Sequence, residues 1–115
     1  MAELYKLTAS EAAALMEKNE ITSEDLVRAC LERIEEREET VQAWQYLDPD
    51  FAIDEARKAD AAERKGPLHG IPFATKDIID TADMPTEFGS PIYAGRRPDT
   101  DAPCVTAMRD AGAVL

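Results

Sequence analysis

The first 65 residues of this chain contain no glycine, while the last 50 contain all five glycines and six of the seven prolines. Glycine supplies the positive-φ conformations that tight turns need, and proline fixes φ and removes a hydrogen-bond donor. The first part is therefore confined mostly to regular elements, and the second must turn often. The first 65 residues also carry 17 acidic and 9 basic side chains, a composition suited to solvated helices. The chain is read as residues 1–65, N-terminal helices with one short strand, and 66–115, the start of an α/β core. Together they form one incomplete domain without internal repeats.

Local signals predict the elements. Thr8 with Glu11 forms a capping-box pair that opens a helix through about Lys18. Asn19 to Ile21 make a turn. Thr22 or Ser23 caps a second helix to about Arg37, whose apolar residues Leu26, Val27, Cys30, Leu31 and Ile34 follow the helical period. Val41 to Leu47 alternates as a strand would. Asp48 and Pro49 open a third helix that ends near Gly66, with Ala52, Ala56 and Ala59 on a small-residue face.

A strand is expected over Ile71–Lys76, after a turn containing Gly66, Pro67 and Gly70. A polar loop follows. Asp101 is expected to cap a fourth helix, with Cys104, Val105, Met108 and Ala111 on its inner face and Gly112 at its C-terminal end. Ala113 to Leu115 begin another strand. Strand, loop, helix and strand make a parallel crossover unit, so the expected fold class is α/β with helices packed on a mixed β-sheet. An apolar strand start at the last residues leads us to expect that the natural chain continues past Leu115.

The net charge of -11 argues against binding nucleic acid or an anionic membrane surface. No apolar run approaches the roughly 18 residues of a membrane span. The first ten residues lack a basic region followed by an apolar stretch, so no secretory leader is expected. Cys30, Cys104 and His69 do not have the spacing of a metal site. The expected chain is cytoplasmic and reduced, and needs no metal or cofactor.

One lysine stands apart. In GPLHGIPFATKDIID, Lys76 follows Ile71, Pro72, Phe73, Ala74 and Thr75, and precedes Asp77, Ile78 and Ile79. On a strand it shares a face with Ala74 and Ile78, a largely apolar row. Burial favours a neutral amine, which is a competent general base toward a hydroxyl nucleophile. A lysine that reaches the strand end, or pairs with a distant carboxylate, fits the same spacing.

The stretch GPLHGIPFATKDIIDTADMPTEFGS resembles the first signature block of the amidase signature family. LTASEAAALMEKNEITSEDLVRACLERIEE is similar to that family's N-terminal helical pair, and DAPCVTAMRDAGAVL to its following helix and strand. The resemblance implies amide hydrolysis by a Ser–cis-Ser–Lys triad, with Lys76 as the base that deprotonates the nucleophilic serine through a bridging serine. It also implies the N-terminal part of the family's fold and a small-molecule amide as substrate. The family's Gly/Ser-rich segment with the two serines has no counterpart here, where Ser10, Ser23 and Ser90 are the only serines. Asp83 stands where the family usually has glycine.

The 115 residues alone are therefore expected to be inactive. Two alternatives stay open: the A subunit of an aminoacyl-tRNA amidotransferase, and a non-catalytic remnant or split-protein interaction module. An apolar face on the first 40 residues makes a homodimer through the N-terminal helices a further expectation. His69 is read as a turn residue bonded to backbone, Cys30 and Cys104 as core residues, and Arg96 with Arg97 as a solvated pair.

Overall fold

The computed structural model describes residues 3–115. A short 3₁₀ turn at Leu4–Lys6 leads into α1 (Ala9–Glu17), α2 (Ser23–Val41) and α3 (Pro49–Ala61); a second 3₁₀ turn at Pro91–Tyr93 precedes α4 (Pro103–Asp110). Each of the first three helices starts where local chemistry dictates. The Glu11 N–H donates to Thr8 Oγ1 at 3.2 Å, and the Thr8 N–H donates back to the Glu11 carboxylate at 2.8 Å. Thr22 and Asp25 form the same reciprocal pair at the start of α2, at 3.0 and 2.9 Å. Asp48 accepts the Phe51 N–H at 3.1 Å, with Pro49 in the first turn of α3.

α2 has a second cap that comes from outside it. The Asp60 carboxylate on α3 accepts the N–H groups of Ser23 and Glu24, at 2.7 and 3.0 Å. A carboxylate suits this place because it faces the positive end of the helix dipole. Ser23 itself is fully buried, and its hydroxyl donates to the Gly70 carbonyl at 2.6 Å. The start of α2 is thus fixed to both α3 and the turn at residues 66–70.

Two apolar clusters flank α2. Leu26 joins Leu4, Ala12, Ile21 and Ile71 on one side, and Val27 joins Ala56 and Val114 on the other. Ala56 is fully buried, so the small-residue face of α3 does allow close approach. The residues that tie these clusters to the second half of the chain are Ile71 and Val114. Their segments are joined by backbone: Leu68 N–H to Ala111 O (3.0 Å), Gly70 N–H to Gly112 O (2.9 Å), Val114 N–H to Ile71 O (2.8 Å) and Phe73 N–H to Val114 O (2.8 Å).

Glycine is required at this junction. A Cβ on Gly66 would sit 2.6 Å from the Ala111 carbonyl oxygen, and one on Gly112 would sit 2.6 Å from His69 Cα. Gly112 also has φ +95° and closes α4: its N–H bonds Arg109 O at 2.9 Å and the Ala113 N–H bonds Met108 O at 3.1 Å.

Several expectations are corrected. The sheet is reduced, among the described residues, to one parallel bridge between Pro72 and Val114. In that bridge both bonds use the neighbours of Pro72, whose missing N–H would point away from Val114. Residues 41–47 are not a strand. α2 continues to Val41 and closes on Gln42 in the left-handed conformation, φ 51°. Among the described residues no backbone pairs with Val41 to Leu47, and alternation alone makes no ladder. α3 stops at Ala61, short of Gly66.

At α4 the N-cap is Ala102, which makes no side-chain cap bond. The Asp101 carboxylate instead accepts the Ala82 N–H at 2.8 Å and pairs with Arg109 Nε at 3.3 Å. Cys104 is exposed, because α4 buries Val105 with Met108 and Arg109 half-buried beside it. Cys30 is half-buried, and burial raises its thiol pKa.

Gly112→Ala should destabilise the chain by roughly 3 kcal/mol, combining left-handed strain with the backbone clash. Gly95→Ala, at φ +78° with nothing near its Cβ position, should lose only about 1 kcal/mol. Urea unfolding of the two variants measures the difference. Equal losses would contradict the close approach at Gly112.

Candidate active site

Among the described residues, Lys76 lies in the wall of a cleft of about 560 Å³, between α2, α3 and residues 72–77. The lining is mainly apolar and includes Val27, Leu31, Phe51, Phe73 and Val114. Its only charged side chains among the described residues are those of Asp48, Lys76 and Asp77, so Lys76 is the one cation of that set. Burial alternates along the segment as strand geometry requires. Ile71 is buried and Pro72 half-buried; from there Phe73 and Thr75 are half-buried, while Ala74 and Lys76 are exposed.

The expected burial of Lys76 is therefore corrected: its side chain is exposed. The segment also turns at once, with the Ile79 N–H bonded to Lys76 O at 3.0 Å, so Ile78 does not extend an apolar row and is 53% exposed. The amine takes no part in the ion pairs of this half of the chain, which join Arg96 to Asp80 and Arg109 to Asp83 and Asp101.

Asp77 is occupied elsewhere. Its carboxylate accepts the Glu87 N–H at 2.8 Å and the Gly89 N–H at 3.0 Å, while its carbonyl accepts the Phe88 N–H at 2.8 Å. Three consecutive amides are thus held by one residue, which keeps Phe88 at φ 55° and Gly89 at φ 65°. Both residues of the Lys-Asp pair line the cleft, but Lys76 is exposed while the Asp77 carboxylate clamps the loop beside it.

The loop has a second anchor. Arg96 donates to both Asp80 carboxylate oxygens, at 2.9 and 3.2 Å, and lies 4.9 Å from the Phe88 ring centroid. The Thr86 N–H bonds Arg96 O at 3.0 Å. Arg96 is therefore a structural residue and not one of a merely solvated pair, while Arg97 is exposed. Asp83 pairs with Arg109 on α4, which connects the loop to the helix. Ser90 caps the 3₁₀ turn by accepting the Ile92 N–H at 3.3 Å.

His69 has the expected backbone role. Its Nδ1 accepts the Lys65 N–H at 3.1 Å, which leaves the proton on Nε2 to donate to Ala59 O at 2.8 Å. Sequence reasoning passed over Asp77, Asp80 and Thr81, and read Ser23 only as a candidate helix cap. Thr81 is fully buried and lines the same cleft, and its hydroxyl has no partner among the described residues. Among the described residues there is no group of three or more His, Cys, Asp or Glu side chains arranged to hold a metal ion.

Comparison with known proteins identifies the family and the fold. The profile of the family described as Amidase matches residues 25–115. The A subunit of the glutamyl-tRNA(Gln) amidotransferase from Chloroflexus aurantiacus is 44% identical over all of this chain and 24% of its own length. Its counterpart in Acidothermus cellulolyticus is 43% identical over the same shares. Among solved structures, the native peptide amidase of Stenotrophomonas maltophilia superposes with a TM-score of 0.86 at 40% identity, covering 95% of this chain and 23% of that one. The chain belongs to the amidase family, and its fold is that of the corresponding part of those enzymes. It spans about a quarter of the length of the curated relatives it matches.

The Arg96 guanidinium, hydrogen-bonded to Asp80, holds that carboxyl below the usual carboxylate range. A lowered folded-state value means that the pair's contribution is complete above the unfolded value and is lost as pH falls through the folded one. Wild type should therefore be more stable than Asp80→Asn at pH 6, with the gap closing below about pH 4. Thermal unfolding at both pH values tests this. A gap that widens toward acid would contradict the pairing.

Proposed function

We propose that this chain forms part of an enzyme that cleaves amide C–N bonds by acyl transfer to a serine, with Lys76 as the base. The observation that carries this reading is the position of Lys76 as the one cation, among the described residues, in the lining of a mainly apolar cleft, its amine outside the neighbouring ion pairs. The neutral amine takes the proton of a bridging serine, which takes the proton of the nucleophilic serine. The serine attacks the amide carbonyl, and the protonated lysine returns a proton, through the bridging serine, to the leaving nitrogen. Water then hydrolyses the acyl-enzyme. Family resemblance supports both serine roles; neither residue has a counterpart here. We assign them to the part of the relatives' length that this chain does not match. Cover over the cleft would supply the dry surroundings that Lys76 lacks here.

A second reading has specific support: the curated relatives at 44 and 43% identity are amidotransferase A subunits. In it the same chemistry releases ammonia for a partner subunit. The apolar faces of α1 and α2 are largely used inside the chain, on Leu4, Ala12, Ile21 and Ile71. We therefore favour a different partner subunit over a homodimer through the N-terminal helices. Residues 1–65 and 66–115 are taken as parts of one domain, since Ser23 and Ile71 join them. The mixed sheet would grow outward from the Pro72–Val114 bridge, and a cytoplasmic location accords with both readings.

In the full natural chain, Lys76→Met should lower kcat on a simple amide, or on glutamine, by about a thousandfold. Residues 1–115 alone should turn over neither. Retained activity in the variant, or turnover by the short chain that Lys76→Ala abolishes, would refute this assignment. Ammonia release from glutamine that depends on a partner subunit selects the amidotransferase reading.

A further inference from the structure

Up to Lys76, the segment that carries the lysine is fastened by backbone at one end only. The Phe73 N–H bonds Val114 O at the bridge, and beyond it, among the described residues, the backbone of Ala74 to Lys76 makes a single hydrogen bond. That bond, from the Ile79 N–H to Lys76 O, lies within the turn and ties the segment to nothing outside it. Asp77 supplies the second attachment. Its two carboxylate oxygens accept the Glu87 N–H at 2.8 Å and the Gly89 N–H at 3.0 Å, and its carbonyl accepts the Phe88 N–H at 2.8 Å.

The loop is shaped to receive that residue. Phe88 at φ 55° and Gly89 at φ 65° are both left-handed, which turns successive amides toward one point. Successive N–H groups in such a turn make a concavity for an anion. Two donors require two acceptor oxygens, so a carboxylate fits where an amide would offer one oxygen and a repelling NH2 group. The loop is braced from outside as well. The Glu87 carboxylate accepts the Gln45 side-chain N–H at 3.3 Å, from the connection between α2 and α3, and also the Gly95 N–H. The Thr86 N–H bonds Arg96 O, and Arg96 pairs with Asp80. Asp77, the residue next to Lys76, is therefore joined to a braced loop and, through Glu87, to the helical layer.

We propose that Asp77 is a positioning residue for Lys76. Its carboxylate is a tether that sets where the lysine main chain stands, so that the side chain starts from a fixed origin. General-base work depends on that origin, because a displacement of about 1 Å at the reacting groups costs on the order of a hundredfold in rate. The same commitment to two amides keeps the carboxylate from pairing with the neighbouring amine, a pairing that would hold the lysine protonated. The inference rests on the proposed role of Lys76 and assigns Asp77 no contact with substrate.

The experiment compares Lys76→Met, Asp77→Ala and Asp77→Asn in the full natural chain, with and without added formate, by steady-state kinetics and thermal unfolding. Formate can take the place of the lost carboxylate between the two amides, but it is not attached to the neighbour of the lysine. Expected are an inactive Lys76→Met and an Asp77→Ala with kcat lowered roughly tenfold or more at unchanged KM, with Asp77→Asn between it and wild type. Any Tm that Asp77→Ala loses should return with formate, while its kcat stays low. If Lys76→Met stays active, the base assignment fails, and this inference fails with it. If Lys76→Met is inactive but Asp77→Ala keeps wild-type kcat, or changes only KM, the positioning role alone is overturned. Formate that restores kcat together with Tm overturns it too, since loop shape without a tether then suffices. A joint loss of kcat and Tm that formate does not move overturns it as well, as the signature of a residue that holds the fold rather than the lysine.

Discussion

Four backbone hydrogen bonds between residues 68–73 and 111–114 join the start and the end of the second half of this structure. They act at a place where side chains cannot. Gly66 lies against the Ala111 carbonyl and Gly112 against His69, each too close for a Cβ. Close approach brings Ile71 and Val114 to the two sides of α2, so each apolar cluster contains one residue from this junction. Ser23 adds a bond from α2 to Gly70, and His69 adds one to Ala59 at the end of α3. Helices, turn and cleft wall are positioned from this one junction.

The position of Lys76 follows from it. The segment leaves the Pro72–Val114 bridge with its pleat already set, which puts Ala74 and Lys76 on one face and Phe73 and Thr75 on the other. The chain then turns, and Asp77 and Arg96 hold the following loop at the side of the cleft. The base role proposed for Lys76 needs a fixed origin for its side chain more than it needs a long sheet, and a two-residue bridge anchored by glycine packing supplies one.

What could be read from the sequence was chemistry that acts over three or four residues. The pairs Thr8 with Glu11 and Thr22 with Asp25, the Asp48–Pro49 start and the Gly112 end all combine a backbone need with a nearby side chain. Family membership was legible because the signature residues were intact. Burial was not legible. Lys76 and Cys104 were expected inside because their neighbours are apolar, yet each faces outward, since burial depends on what lies opposite. The strand over Val41–Leu47 failed for a related reason: alternation describes one strand and is silent about a partner. Asp60 and Asp77 were passed over because their roles appear only when distant segments meet.

Residue-resolved hydrogen exchange on this chain tests the central claim most directly. If the junction organises the structure, the amides of Leu68, Gly70, Phe73 and Val114 exchange as slowly as those in the middle of α2, because opening them requires global unfolding. Exchange as fast as in the loop around Gly95 and Arg97, with α2 still protected, would contradict it. The helices would then hold together without the junction, and Lys76 would have no fixed origin.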